Sequence, residues 1–395
     1  MKKIILSAGF ILACVCSSFA GTPWEIRGKI YNADTVYHEQ IGPGTTLTKL
    51  VLDGPDTQRI FYTTTDLTND SVEIMAVKGK NTAKGLEPVS SMAKRNSTGG
   101  KNCIVGVNSD FFERWPDSYP VGSVIVDREI VSIANKDWSA FGITSDRKPC
   151  LGVLSFNGKV KNGDCEHALD GVNRKQIDNG LVLYTRLNGD ITGTGSPVAE
   201  VALEPLDGAK PMADGSGKYK VVSAPDALGS MFIPENGCVL SGSGDAAGFV
   251  KNLKEGDIVE ADFEVLFDDK PVENLQHAVG GHPMILADSK VLDTDTAIVN
   301  LPKLNPRTAV GFNADRTRLI LLVVDGRSEI AAGVISKQLA EIMRYAGCTE
   351  AMNFDGGGSS EMYISKLGIV NTPSDGRERQ VCDGLFVFGV QPAEK

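Results

Sequence analysis

Short runs of β-branched and aromatic residues, each closed by glycine or a polar turn, recur along nearly the whole chain. Residues 60–64, 72–77, 103–107, 121–126, 181–184, 258–267 and 318–324 are such runs. Side chains of this kind fit a pleated, half-buried surface. Asn157-Gly158 and Asn188-Gly189 between the runs supply the positive φ that tight hairpins need. A helical period is clear over residues 336–346, where Leu339, Ile342, Met343 and Ala346 share one face. Ser336 is placed to cap that helix and Gly347 to close it. A shorter helical turn is expected near residues 89–93 inside a polar connector, residues 81–101. Residues 207–218 are polar and glycine-rich and read as an exposed loop within an insertion. The pattern predicts an α+β fold of mixed, strand-rich sheets with few helices, one of them long and lying just before an Asp-Gly-Gly-Gly loop.

The first twenty residues set the compartment. Lys2 and Lys3 precede an apolar stretch, residues 4–15, and Ser18-Phe19-Ala20 offers the small residues of a cleavage site. Such a stretch is too short to span a bilayer and reads as a signal peptide over residues 1–20. The protein is therefore expected to be secreted or periplasmic. Ile11-Leu12-Ala13-Cys14 also resembles a bacterial lipobox, so anchoring through a lipid on Cys14 is the alternative, and a membrane is expected as a partner only in that case. Residues 21–100 read as a strand-rich segment packed on a main domain, residues 101–392. The net charge of −10 and the lack of a basic patch argue against nucleic acid as a partner. Six cysteines lie beyond the leader, with no Cys-x-x-Cys pair, which disfavours zinc and thiol-redox chemistry. Cys150 and Cys165 flank a hairpin-like stretch and are candidates for pairing; buried free thiols are the equal alternative.

Four segments carry residues suited to chemistry. In Asn353-Phe354-Asp355-Gly356-Gly357-Gly358-Ser359-Ser360, three glycines in a row allow close approach to the main chain. Their amides can form an anion nest, Ser359 and Ser360 add hydroxyls, and Asp355 stands at the lip. A plain solvent turn would have the same glycines. In Asn305-Pro306-Arg307-Thr308 and Asp325-Gly326-Arg327, two arginines at strand ends can fork onto a phosphate, with Thr308 donating beside them. Each arginine alone also suits a surface ion pair. In Asn108-Ser109-Asp110-Phe111-Phe112, Asn108 and Asp110 alternate and so face one side, and the phenylalanines suit either the core or a wall for a sugar ring. Gly280-Gly281-His282-Pro283 again places paired glycines beside a strand, with a histidine that is either structural or at the site.

In this order, these segments resemble the NAGPA-type phosphodiester glycosidase family. That family includes the lysosomal enzyme that removes N-acetylglucosamine from a phosphodiester. Residues 180–185, 238–244 and 371–379 extend the resemblance, which spans about residues 101–390. It implies a cleft lined by Asn108, Asp110, Gly280, Gly281, Arg307, Thr308, Asp325, Arg327 and residues 355–360, with His282 beside Gly281 as a further substrate-binding candidate. It implies hydrolysis of the bond between a sugar's anomeric carbon and a phosphodiester oxygen, on a phosphorylated glycan or sugar-1-phosphodiester. Asp355 is the first candidate for the reacting carboxylate, with Asp110 and Asp325 behind it. No cofactor is required for such a reaction. Calcium or magnesium between Asp355 and Asp110 is the one metal the oxygen ligands suggest. His282 departs from the family, where a small residue is common, and residues 207–218 look inserted; both bear on the substrate more than on the reaction. A non-catalytic binder of anionic glycans and a phosphodiesterase cutting the P–O bond are the rival readings. A Ser-His-Asp hydrolase is disfavoured because no Gly-x-Ser-x-Gly occurs.

Overall fold

In the chain Arg318–Val324, every residue after the arginine is apolar, and every one is buried. A strand of that composition needs cover on both faces. Leu319, Leu321 and Val323 point into a central core, and Ile320, Leu322 and Val324 into a second core behind the sheet. The helix Ser336–Tyr345 covers that rear face through Leu339, Ile342 and Met343. The computed structural model describes residues 21–113, 117–134, 138–294 and 301–390. The expected leader, residues 1–20, and its Cys14 lie outside the described residues.

Three sheets of nine, thirteen and five strands make up the described fold. The nine-stranded sheet runs from the N-terminal strands Thr22–Ile26, Lys29–Gly42, Thr45–Asp53 and Gln58–Asp66 into Arg318–Val324, Arg307–Phe312 and Glu350–Asn353. It ends on Met284–Ala287 and Lys290–Val291. The five-stranded sheet has Asn102–Asn108 at its centre, between Met362–Ile364 and Asp383–Gly389. The thirteen-stranded sheet contains Leu275–Gly280 between Val124–Val126 and Trp138–Thr144. The central core draws on all three: Leu319 and Met352 from the first, Val105 and Leu385 from the second, Phe141 and Val279 from the third.

The fold is mostly β, which corrects the α+β expectation. Among the described residues the α-helices are Val89–Asn96, Asp245–Lys251 and Ser336–Tyr345, each of ten residues or fewer. The sequence's clearest helix is present, but it covers one sheet rather than forming a layer of helices. Its start also differs in detail. Ser336 is the first helical residue and its hydroxyl bonds Thr294, while Ile335 N–H donates to the Gln338 side chain. Gly347, at φ +99°, does close the helix. Part of the expected loop at residues 207–218 is a strand, Asp214–Val221, which pairs with Ile258–Phe267. Only Gly217, Tyr219 and Val221 of it turn inward. No disulfide forms among the described residues: all six cysteines are free, and Cys150 and Cys165 stand at different points of one hairpin.

Candidate active site

Antiparallel pairing brings the chemistry-bearing segments to one end of the nine-stranded sheet. Arg307 is opposite Val324, so Arg307 sits beside Asp325 at the adjoining strand's end. Asn353 is opposite Ala309, which carries Phe354 and Asp355 to the same edge. The five-stranded sheet ends there too, with Asn108 opposite Gly384 and Met362 opposite Val107.

One side chain ties the two sheets together. Asn108 donates from Nδ2 to the Asp355 carbonyl at 2.8 Å. Its Oδ1 accepts from Thr308 Oγ1 at 2.8 Å and from Glu361 N–H at 3.1 Å. Main-chain bonds reinforce the join: Asp355 N–H to the Ser109 carbonyl and Phe354 N–H to the Thr308 carbonyl, both 2.8 Å. Asn108 and Thr308 are both buried. A buried amide bonded through both its nitrogen and its oxygen fixes geometry because its alternatives leave polar atoms unsatisfied.

The three candidate aspartates have different surroundings. Asp110 is buried, and its carboxylate accepts from Gly122 N–H at 2.6 Å and Phe111 N–H at 2.8 Å. Burial and the neighbouring Asp383 push its carboxyl well above the usual range. A Cβ at Gly280 would lie 2.4 Å from Asp110 Oδ2, and one at Gly122 2.8 Å from it. The first glycine of the pair is therefore required by Asp110, which clamps the turn after Asn108. Gly281 has its own neighbours, Phe354 and Met352. Asp325 is also buried, accepts from Thr372 N–H at 2.8 Å, and is pushed up by burial. Asp355 alone of the three is half-exposed. Burial raises its carboxyl to about 6, against the pull of Ser359, Gly356 N–H, Arg379 and Arg307.

The glycine loop is a short 3₁₀ turn, Gly357–Ser359, packed between guanidinium groups. A Cβ on Gly357, which has φ +63°, would lie 2.9 Å from an Arg327 nitrogen. One on Gly356 would be 3.7 Å from Arg307. Gly356 N–H bonds the Asp355 carboxylate and Gly357 N–H the Pro306 carbonyl, so these two amides are engaged within the protein. Arg307 is 4% exposed and donates to the carbonyls of Val334, Leu301 and Lys303. It is a fixed positive charge behind the loop. Burial and Arg327 lower its guanidinium to about 10. Arg327 is exposed and held on one side by Asn305 Oδ1 at 2.8 and 3.0 Å.

Two residues without an assigned role in the sequence reading belong here. Arg379 donates to Ser359 Oγ at 3.3 Å and to Asp375 at 2.6 and 2.9 Å. A Cβ on Gly358 would lie 2.0 Å from it, so the third glycine makes room for a third guanidinium. Glu361 follows the two serines and is fully buried. The block 371–379 marked the first of these in the sequence; nothing but its adjacency to the serines marked the second. Ser360 is buried within the loop. His282 is half-buried, stacks on Trp138 with centroids 4.3 Å apart, and meets Ser139 Oγ at 3.2 Å. Its carbonyl accepts from Asn353 Nδ2 at 2.8 Å, which places it on the flank of the strand Glu350–Asn353 that leads to Asp355. Asp110 directs both carboxylate oxygens at backbone amides rather than toward Asp355, and no group of three His, Cys, Asp or Glu side chains suited to a metal occurs among the described residues.

A Synechocystis protein of solved structure superposes with a TM-score of 0.72 at 16% identity, over 88% of this chain and 62% of that one. A Burkholderia pseudomallei protein described as exported superposes at 0.67 with 20% identity, over 85% of this chain and 75% of that one. At these identities the likeness is one of fold. A Bacillus subtilis SPbeta prophage-derived uncharacterized protein, YomE, is 37% identical over 83 residues, 21% of this chain and 13% of that protein. The chain thus spans under two thirds of the Synechocystis protein and a small part of the Bacillus one. Residues 213–388 match the phosphodiester glycosidase family model, NAGPA. The matched part holds Gly280, His282, Arg307, Asp325, Arg327, the 355–360 loop and Arg379, and it is the family that the ordered motifs resemble.

Proposed function

We propose that the protein is an exported phosphodiester glycosidase that hydrolyses the bond between a sugar's anomeric carbon and a phosphodiester oxygen. The observation that carries this reading is the half-exposed Asp355, set among Arg307, Arg327 and Arg379 on a glycine loop that fits against all three. A phosphate ester leaves readily once its charge is neutralised, and preorganised cations supply that neutralisation. Arg327 and Arg379 offer donors at the surface of the loop, and Arg307 adds positive potential from behind. With three guanidinium groups present, this reading requires no metal. Asp355 either takes a proton from water as the water oxygen bonds to C1, or attacks C1 itself. In both cases the C1–O electron pair leaves on the phosphate, which departs as a phosphomonoester. Asp110 and Asp325 hold the frame. His282, stacked on Trp138, forms a flank where a sugar ring would lie.

The test is incubation with a panel of sugar-1-phosphodiesters and chromatography of the products. Free sugar with a phosphomonoester supports the reading. Sugar phosphate with free alcohol shows P–O cleavage instead, and binding without product shows a glycan binder.

A further inference from the structure

Glu361 is fully buried, yet only one of its carboxyl oxygens is bonded. Oε1 accepts the backbone N–H of Arg379 at 3.1 Å, while Oε2 has no hydrogen-bond partner among the described residues. A buried carboxylate left in this way is costly. The charged groups that face it come from the 371–381 segment. Glu378 and Asp375 oppose its ionisation and Arg379 favours it. From the helix Val89–Asn96 comes a neutral group, Ser90, bonded to Glu378 at 2.7 Å. From the strand Asn102–Asn108 comes another, Asn108, which holds the Glu361 amide. On the loop side, Asp355 is reached through Ser359. Burial and the two acidic neighbours raise the Glu361 carboxyl to about 8.

Resting on the glycosidase reading, we propose that Glu361 is a positioning residue: protonated, it leaves the Arg379 guanidinium on Asp375 and Ser359 beside Asp355, and ionised, it draws that guanidinium away. Arg379 is the cation that favours ionisation of Glu361, and its backbone already sits on Oε1. Asp375 and Ser359 take three of the guanidinium's N–H groups, and the planar fork moves as one body, so a pull from an ionised Oε2 loosens its hold on both. Loss of one proton from a buried side chain therefore moves a positive charge off the reacting carboxylate. The alkaline end of the activity profile belongs to Glu361, not to Asp355.

The experiment compares the full chain with Glu361→Gln. In the wild type, kcat/KM for a sugar-1-phosphodiester falls about tenfold per pH unit above about pH 8. Glutamine cannot ionise, so E361Q loses that fall; an unchanged fall in E361Q overturns the inference and leaves the glycosidase reading standing. A second readout needs no turnover. A double-mutant cycle of E361Q and R379Q on thermal midpoint shows coupling at about pH 9 that vanishes at about pH 6. Coupling of one size at both pH values, or at neither, overturns the inference. If the wild type releases no sugar while the pH-dependent coupling is present, the glycosidase reading fails and the Glu361–Arg379 device stands.

Discussion

Asp355 owes its character to where it stands, half-exposed with Gly356 at the mouth of a loop whose residues 357–360 are buried. Its carboxyl sits near 6, above the ordinary value of 3.8. The folded state therefore holds this proton more tightly than the unfolded chain does. The associated stability is complete below the ordinary range and is lost as pH rises through about 6. Asp355→Asn is expected to remove this loss, gaining on the order of 1–2 kcal/mol over wild type at neutral pH in denaturant melts. The same variant should lower kcat/KM by about a thousandfold or more, and activity in the wild type should rise through about pH 6. The two arginines separate in the same way. Arg327→Ala should cost about a hundredfold in kcat/KM with little change in thermal midpoint. Arg307→Ala should cost about 2–4 kcal/mol of stability, because three carbonyls lose their donor. Sequence showed both arginines at strand ends. It did not show that one faces a wall of carbonyls and the other solvent, since that depends on chain from residues 301–303 and 334 folding over Arg307. Glu361 was hidden for a similar reason: its environment is made by residues 375–379, distant from the loop only in sequence.

At the scale of the element, the glycines divide into those that a turn requires and those that a neighbour requires. Gly280 is of the second kind. Its would-be Cβ meets a carboxylate that is itself fixed by two amides. Gly280→Ala should destabilise by about 1–3 kcal/mol in a denaturant titration and weaken activity through the turn after Asn108. Paired glycines predict close approach, and the neighbour of the first of them is Asp110. Strands with apolar alternation or continuous apolar runs, such as Ile258–Phe267 and Arg318–Val324, were legible. Asp214–Val221 was not, because Asp214-Gly215-Ser216-Gly217-Lys218 has the composition of a loop, and the cross-strand Lys218–Glu260 ion pair that accompanies its pairing joins residues far apart in sequence. The helix Ser336–Tyr345 announced itself by period, while its cap did not, since the Ser336 hydroxyl finds Thr294 instead.

On the scale of the whole molecule, the sheets cross the division expected near residue 101. Gln58–Asp66 pairs with Arg318–Val324, and Val72–Lys78 pairs with Asp383–Gly389. A fragment of residues 101–390 would bare both strand edges and the apolar faces beside them. Such a fragment is expected to aggregate, where the chain from residue 21 stays in solution by size-exclusion chromatography. The fold class is settled at this scale too. Counting short strands indicated sheet, but how few helices cover so much of it emerges only when strands far apart in sequence are paired. The candidate site hangs from three separately walled sheets, with the Asn108 amide as the pin through two of them. Small shifts of any wall must therefore converge on the same few atoms. Damage far from Asp355 should register first as slowed turnover and only later as a lowered melting point.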